Sequence, residues 1–598
     1  MRYLIGIDLG TTNTVLYYCE AEQPVPTLQL FKITQTVASG ETQALPLLPS
    51  FIYLPDERES ATTALALPWD EHPRYSVGEF ARRNAALSPD RSVVSAKSWL
   101  CAEGVDRRSP LLPTTQTSRD RQLSPLDAAR LILEHLRNAW NHTMAAADPS
   151  ARLEEQEIVL TVPASFDAVA RELTGEAARL AGLNVTLLEE PLAAFYAWLH
   201  QRGEHWRQDL KPGDTVLVCD IGGGTSDFSL IRAVNQDGNL ELERAAVGRH
   251  ILLGGDNMDL AAAYHLATEL QRDRGLRFDT YQLMGLTGAC REAKEKLLAD
   301  PSLPPQPVTV LGRGSSVIGG TITAKISSAT LAQIIVDGFF PSCAVADRPQ
   351  VNAQSGLRTF GLRYEADPAI TRHLAEFLSK HVSDDRAMPN KILFNGGVIK
   401  AAAIRDRMLK TVQSWLPAEG HLTELLGTDP DLAVARGACW YASVKRGKGI
   451  RVRAGSARSY YLGIEPAMPA VPGFIPPLQA LCVAAFGMEE GTGIDIAYHG
   501  LGLVVGEKTQ FQFLSSTERH DDQMGRMLPD AAEAGLEHHA PLTATLPAGE
   551  GVPVGSLLPV RLRAELTETG TLQIWCLAEN RDDRWKLEFE LRDNAGSN

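Results

Sequence analysis

Two short segments, IGIDLGTTNT at 5–14 and VLVCDIGGGTSDFSL at 216–230, carry residue types and spacing suited to phosphate chemistry. Each is a β-branched run that ends in an aspartate, Asp8 or Asp220, and turns through glycines into hydroxyl residues. Such a turn leaves backbone N–H groups uncovered by side chains, a cradle for phosphate oxygens. One copy is a common structural device, with the aspartate serving as a turn cap. Two copies suggest related lobes that grip one polyphosphate and its metal from opposite sides. Asp8 and Asp220 can hold Mg²⁺ directly or through water. Gly10, Thr11, Thr12 and Asn13, with Gly223, Gly224 and Thr225, can receive phosphate oxygens, and Asp227 adds a further carboxylate. Hydrolysis of a polyphosphate also needs a cation for its terminal group and a carboxylate that orients water. Position alone identifies neither.

These turns must be held by strands, and the flanking sequence supplies them. Residues 1–19 read as a buried strand pair around a tight Gly-Thr-Thr turn. LLPSFIYLP, interrupted by prolines, predicts an edge strand. SPLDAARLILEHLRNAW predicts an amphipathic helix capped by Ser124 with Pro125 in its first turn. A strand over 157–166, a helix from Asp167, the strand VTLLEE and a helix begun by Pro191 follow. The β-α-β-α order resumes after 216 and again from KILFNGGVI, which predicts a mixed α/β sheet with helices on its faces. Residues 257–330 read as a helical insertion. KRGKGIRVRAGSAR, basic and poor in large apolar residues, reads as a linker over 448–458. Beyond it helix periodicity fades into short strands separated by Gly, Pro and Asp, the pattern of a β-sandwich.

At 598 residues the chain exceeds one hydrophobic core and predicts several domains. A formal net charge of −15 argues against a general nucleic-acid or anionic-membrane binder. The start, MRYLIGIDLG, lacks the features of a signal peptide, and no apolar run is long enough to span a bilayer. Eight cysteines stand singly, without a CxxC pair, which fits reduced thiols and a cytoplasmic location.

IGIDLGTTNT, TVPASFDAVAR, LLEEPLAAF, DIGGGTSD, GGDNMD, FNGG and DPDLAVARGA occur in an order that resembles the 70-kDa heat-shock protein (DnaK-type) chaperone family over residues 1–447. The resemblance implies an actin-like ATPase domain of two duplicated, ribonuclease-H-like lobes. It implies that Lys97 is the catalytic lysine, that Glu190 coordinates a metal-bound water, and that Thr225 contacts the γ-phosphate. Asp431 matches a carboxylate near the phosphates, and Gly396 and Gly397 match the third nucleotide-binding turn. Pro163 and Arg171 match a proline switch and its relay arginine, which couple the nucleotide site to a substrate domain. ATP/ADP, Mg²⁺ and K⁺ are the implied cofactors. A polypeptide client, a J-domain co-chaperone and a nucleotide-exchange factor are the implied partners.

Three departures modify that expectation. In the family's adenosine-binding helix a glutamate, a lysine and a serine contact the nucleoside. Here Lys294 is retained, while Arg291 and Leu298 stand at the other two positions, and Lys400 replaces an adenine-stacking arginine. Phosphate chemistry is then expected to survive with altered base affinity. The linker lacks the family's leucines, so docking on the ATPase domain by the same energetics is not expected, and coupling is left to Tyr460 and Tyr461 or is weak. The sequence ends after WKLEFELR at Asn598 without the pattern of a long helical lid, which predicts rapid ligand exchange.

The resulting expectation is an ATPase domain over 1–447, a linker over 448–458 and a β-rich substrate-binding-like domain over 459–598. ATP binding and slow hydrolysis would control polypeptide binding, without nucleic-acid or membrane partners. The alternatives are a degenerate nucleotide-binding regulator, a small-metabolite kinase on the same superfold, and a filament-forming actin-like scaffold.

Overall fold

A computed structural model describes residues 2–589 except 103–104, 117, 237–238, 312–320, 351–361, 363, 383–387, 451, 453–455, 457, 467–475, 490, 499, 507, 540, 546–554, 568–571 and 580–582. The WKLEFELR segment is described through Phe589, and the residues after it lie outside the described set.

Two sheets repeat one strand order. In the first, Tyr3–Leu9 pairs antiparallel with Asn13–Glu20, which pairs with Gln29–Leu30. On its other side lie Glu157–Val162 and Val185–Glu189, both parallel. In the second, Thr215–Ile221 pairs antiparallel with Ser226–Gln236, which pairs with Asn239–Val247. Its other side carries Lys391–Asn395 and Thr423–Glu424, again parallel. The phosphate-motif hairpin therefore opens each sheet, and its first strand is central in both. A central strand is buried on both faces, which explains the near-continuous apolar runs YLIGI and TVLVC.

Helices cover these sheets as the pattern required. Pro125–Met144 begins at Ser124, whose hydroxyl accepts from the Asp127 amide, and it buries one apolar stripe that includes Leu133 and Trp140. Between the sheets, Leu4 and Val159 from the first and Val216, Val218 and Leu393 from the second share one core with the helices Glu190–Arg202 and Ala433–Lys445. The segment expected as a helical insertion contains Gly255–Arg274 and Thr280–Ala299, and also a two-stranded hairpin, Gln306–Leu311 with Thr321–Ile326.

Beyond Ser459 the described residues form strands. One sheet includes Ser459–Ile464, Gln479–Ala484 and Phe513–Ser516, and another pairs Leu557–Leu566 with Leu572–Ala578. A core of Leu462, Leu481, Val483, Phe513, Leu562 and Ile574 draws on both.

One expectation is corrected. LLPSFIYLP is not a single edge strand. Leu48–Pro49 lies along the margin of the first sheet against Asn13 and Thr14. Ile52–Tyr53, in contrast, pairs with Ser76–Val77 on one side and Ser92–Val93 on the other, because the prolines fall outside its two hydrogen-bonding positions. Of the linker, Lys448, Ile450 and Val452 dock without leucines, by contacts other than those the resemblance implies, and 451, 453–455 and 457 lie outside the described residues. Val452 is buried with Ile450 against the core shared by the two sheets, and its amide donates to the Tyr196 hydroxyl at 2.9 Å. The Lys448 ammonium donates to the carbonyls of Ala21 and Gln23. These β-branched side chains join the cluster that contains Tyr196 and Tyr441.

Candidate active site

Both phosphate-motif turns close by the same bond. Gly10 N donates to Asn13 O at 3.1 Å, and Gly222 N donates to Thr225 O at 2.9 Å. Each aspartate stands two residues before its closing glycine and is supported from the parallel neighbour strand. Thr161 Oγ1 donates to Asp8 at 3.0 Å, and Asn395 Nδ2 donates to Asp220 at 2.8 Å. The turns then meet. A Cβ on Gly223 would lie 2.1 Å from Thr12 Oγ1, so the two turns are in direct contact. Gly396, at φ +89°, brings the third turn against the Ile221 carbonyl and Asp220.

A cavity of about 790 Å³ opens between them. Asp8, Gly10, Thr11, Thr12, Asn13, Lys97, Glu190, Asp220, Gly223 and Thr225 line it, as do Lys294, Gly396, Gly397, Lys400 and Asp431. Gly224 lies against Thr11 and Ser98 at its margin. Pro163 and Arg171 are outside the lining. Arg171 donates to Glu189 at 2.7 Å and to the carbonyls of Ala164 and Phe166, while Glu189 is also paired with Arg244. Arg171 thus grips the residue directly before Glu190. Asp227 sits opposite Asp220 across the hairpin, but it accepts from Ser165 and is not in the cavity lining.

Lys97 is buried and ion-paired with Glu190, the first residue of its helix. Burial pushes Asp8 up to about 7, and the Glu190 charge adds to the rise. Asp220 is driven well above the usual carboxylate range by burial and by Glu190. Burial also raises Glu190, against the pull of Lys97. Burial alone would lower Lys97, but Glu190, Asp8 and Asp220 outweigh it and hold the ammonium charged. Three carboxylates, one buried and two half-buried, around one lysine leave a deficit of positive charge, which fits a cation. Among the described residues no group of three His, Cys, Asp or Glu is placed to hold a metal unaided. The arrangement therefore suits a cation whose shell phosphate oxygens and water complete.

A comparison with protein-family models matches residues 54–323 to the family described as Hsp70 protein. That match supports membership of the 70-kDa heat-shock family. Members of the family are chaperone-type nucleotide-binding proteins and ATPases, bind ATP or ADP with Mg²⁺, and generally engage polypeptide clients and co-chaperones. The matched segment contains Lys97, Glu190 and the second turn. The Asp8 turn, Gly396, Lys400 and Asp431 lie outside it and are placed at the same cavity by the fold.

At the departures from the heat-shock pattern the side chains are already engaged. Arg291 donates to Asp256 and Asp259, each at 2.7 Å, and stacks 5.6 Å from the Phe51 ring centroid. Lys294 pairs with Asp259 at 2.6 Å, and Lys400 with Asp431 at 2.5 Å. Leu298 lines the cavity without a polar group to offer. Asp256, Asp259, Ser95, Thr161 and Asn395 escaped residue-by-residue reasoning, although GGDNMD, which contains the first two, was a visible signal. Among the described residues no helix is long and apolar enough to cross a membrane.

Proposed function

We propose that this protein is an ATP-hydrolysing chaperone in which nucleotide turnover controls polypeptide binding by the β-rich C-terminal region. The supporting observation is the cluster of Asp8, Asp220, Glu190 and Lys97, with Asp220 and Lys97 buried and Asp8 and Glu190 half-buried, between two turns of matching geometry. Asp8, Asp220 and Glu190 would hold Mg²⁺, which supplies charge neutralisation to the β- and γ-phosphates. The turn amides of 11–13 and 223–225 bind the phosphates, and the Thr225 hydroxyl and Lys97 ammonium meet the transferring group. Glu190 orients the attacking water, and its pairing with Lys97 keeps both at one point of the cleft. Burial of the cluster excludes bulk water, which strengthens each of these interactions.

In this reading residues 1–447 form a two-lobed actin-like domain, 448–458 the linker and 459–598 a β-sandwich-like client domain, in a cytoplasmic protein. Contacts between the parts support coupling. Ala168, in the first turn of the helix that carries Arg171, shares a core with Tyr460, and Lys380 pairs with Glu518 at 3.1 Å. The test is ATP hydrolysis with and without an unfolded polypeptide. Hydrolysis that the polypeptide accelerates is expected; hydrolysis indifferent to it would leave an ATPase without the chaperone cycle. The engaged state of Arg291 and Lys400 favours a second reading, a nucleotide-binding regulator, which nucleotide binding without turnover would establish.

A further inference from the structure

Among the described residues Ser95 is the only non-glycine with positive φ, at φ 52° and ψ 32°. A left-handed conformation costs an L-residue about 1–2 kcal/mol and persists where surroundings over-determine it. Ser95 directly precedes the short helix Ala96–Trp99, two residues before Lys97, and its hydroxyl caps no helix amide. It donates instead to Asp256 Oδ2 at 2.5 Å, 161 residues away.

Asp256 is a junction. Its backbone amide donates to the Gly223 carbonyl in the second phosphate turn at 2.7 Å. Its other carboxylate oxygen accepts from Arg291, which reaches on to Asp259 and through it to Lys294. One residue therefore joins the second phosphate turn through its amide, and the helix Thr280–Ala299 and the segment that carries Lys97 through its carboxylate.

We infer that Ser95 and Asp256 form a latch across the cleft that seats Lys97 against Glu190 only when the cleft is closed. The inference rests on the ATPase reading above and assigns Ser95 a positioning role within it. When the cleft opens, Ser95 loses its acceptor and the reason to remain left-handed. Relaxation of its backbone then swings Lys97 away from the transferring phosphate. Hydrolysis becomes conditional on closure, and nucleotide that sits in an open cleft is not turned over.

Glycine separates this role from simple strain. Ser95→Gly keeps the left-handed backbone at lower cost and removes only the donor. Were Ser95 merely a strained residue, glycine would be neutral or stabilising. Ser95→Asn tolerates the same conformation and restores a donor. Steady-state ATPase assays on the full chain compare wild type, S95G, S95N and K97A, with melting temperatures alongside. S95G is expected to lower kcat about tenfold, the worth of one such hydrogen bond in the transition state, with KM for ATP unchanged within about twofold. S95N is expected to recover most of that loss, and neither variant should melt below wild type. Wild-type kcat in S95G, or no recovery in S95N, overturns the latch. Hydrolysis that K97A leaves at the wild-type rate, or no hydrolysis at all, overturns the ATPase reading and the latch together.

Discussion

The two phosphate-motif hairpins share strand order, turn closure and the way their aspartates are supported, yet different parts of the chain brace them. The first turn is held from within its own sheet region. Ser50 donates its amide to the Thr12 carbonyl and its hydroxyl to the Gly10 carbonyl. The second is held by the start of the helix Gly255–Arg274, where the Gly255 and Asp256 amides donate to the carbonyls of Gly222 and Gly223. That helix start also reaches Ser95, so the second turn is tied to the opposite side of the cleft and the first is not. The two hairpins thus share strand order and aspartates, while their braces differ: the first turn is held by Ser50 and the second by the helix start that also bonds Ser95.

Lys97 feels the carboxylates of both motifs, Asp8 and Asp220, so its removal is the largest expected effect. Lys97→Ala should reduce kcat on the order of 100- to 1000-fold, as loss of a preorganised transition-state donor does. Single-turnover hydrolysis measures it. If only one turn depended on Lys97, a substantial fraction of the rate would survive.

Acid separates the regions next. Burial pushes both His135 and His250 down to about 4. His135 lies within the first region and bonds the Thr34 carbonyl, whereas His250 bonds Ser165 from beside the second sheet. Both imidazoles are neutral in the fold and titrate near 6.5 once unfolded. The unfolded chain therefore binds more protons between these values, and stability falls as pH drops from 6.5 towards 4, by roughly 3 kcal/mol for each at the lower limit. His135→Gln retains a donor and removes the titration. Its melting temperature should decline less steeply with acidification than that of wild type, and an unchanged slope would show that His135 is not a source of the acid loss.

A smaller effect distinguishes the two glycines. A Cβ on Gly10 would fall 2.3 Å from the Asn13 carbonyl of its own turn, where backbone must shift. A Cβ on Gly223 meets the Thr12 hydroxyl, a side chain able to rotate. Gly10→Ala should therefore cost about 1–3 kcal/mol of stability. Gly223→Ala should melt near wild type while weakening ATP binding. Equal melting temperatures for the two variants would remove the contrast between a self-contained turn and a cross-cleft one.

Much of this was legible in the sequence because it is local. Asp8 and Asp220 at strand ends, the Ser124–Pro125 cap and the β-rich tail each follow from a few neighbouring residues. The docked linker was not legible, since Ile450 and Val452 are short apolar side chains whose value depends on the cluster that contains Tyr196 and Tyr441. Nor was Ile52–Tyr53, whose two partners come from segments about 25 and 40 residues downstream. The Ser95–Asp256 bond lay furthest from view: neither residue type is diagnostic, and the contact exists only once both sheets face one cavity.

The smallest expected effect tests which region speaks to the β-rich part. The first region meets it through Ala168, buried with Tyr460 in a shared core. The second meets it through Lys380 and Glu518, both substantially exposed. Solvent and side-chain entropy reduce an exposed pair to about 0.2–1 kcal/mol. A double-mutant cycle of Lys380→Ala and Glu518→Ala should return a coupling in that range, and polypeptide stimulation of the ATPase should be retained in both single variants. The first region would then carry the communication through the helix that holds Arg171, with Glu189 and Glu190 one residue apart at the cleft. Loss of stimulation in Lys380→Ala would assign that role to the second region instead. The second turn and the interdomain contact would then lie on the same side of the cleft.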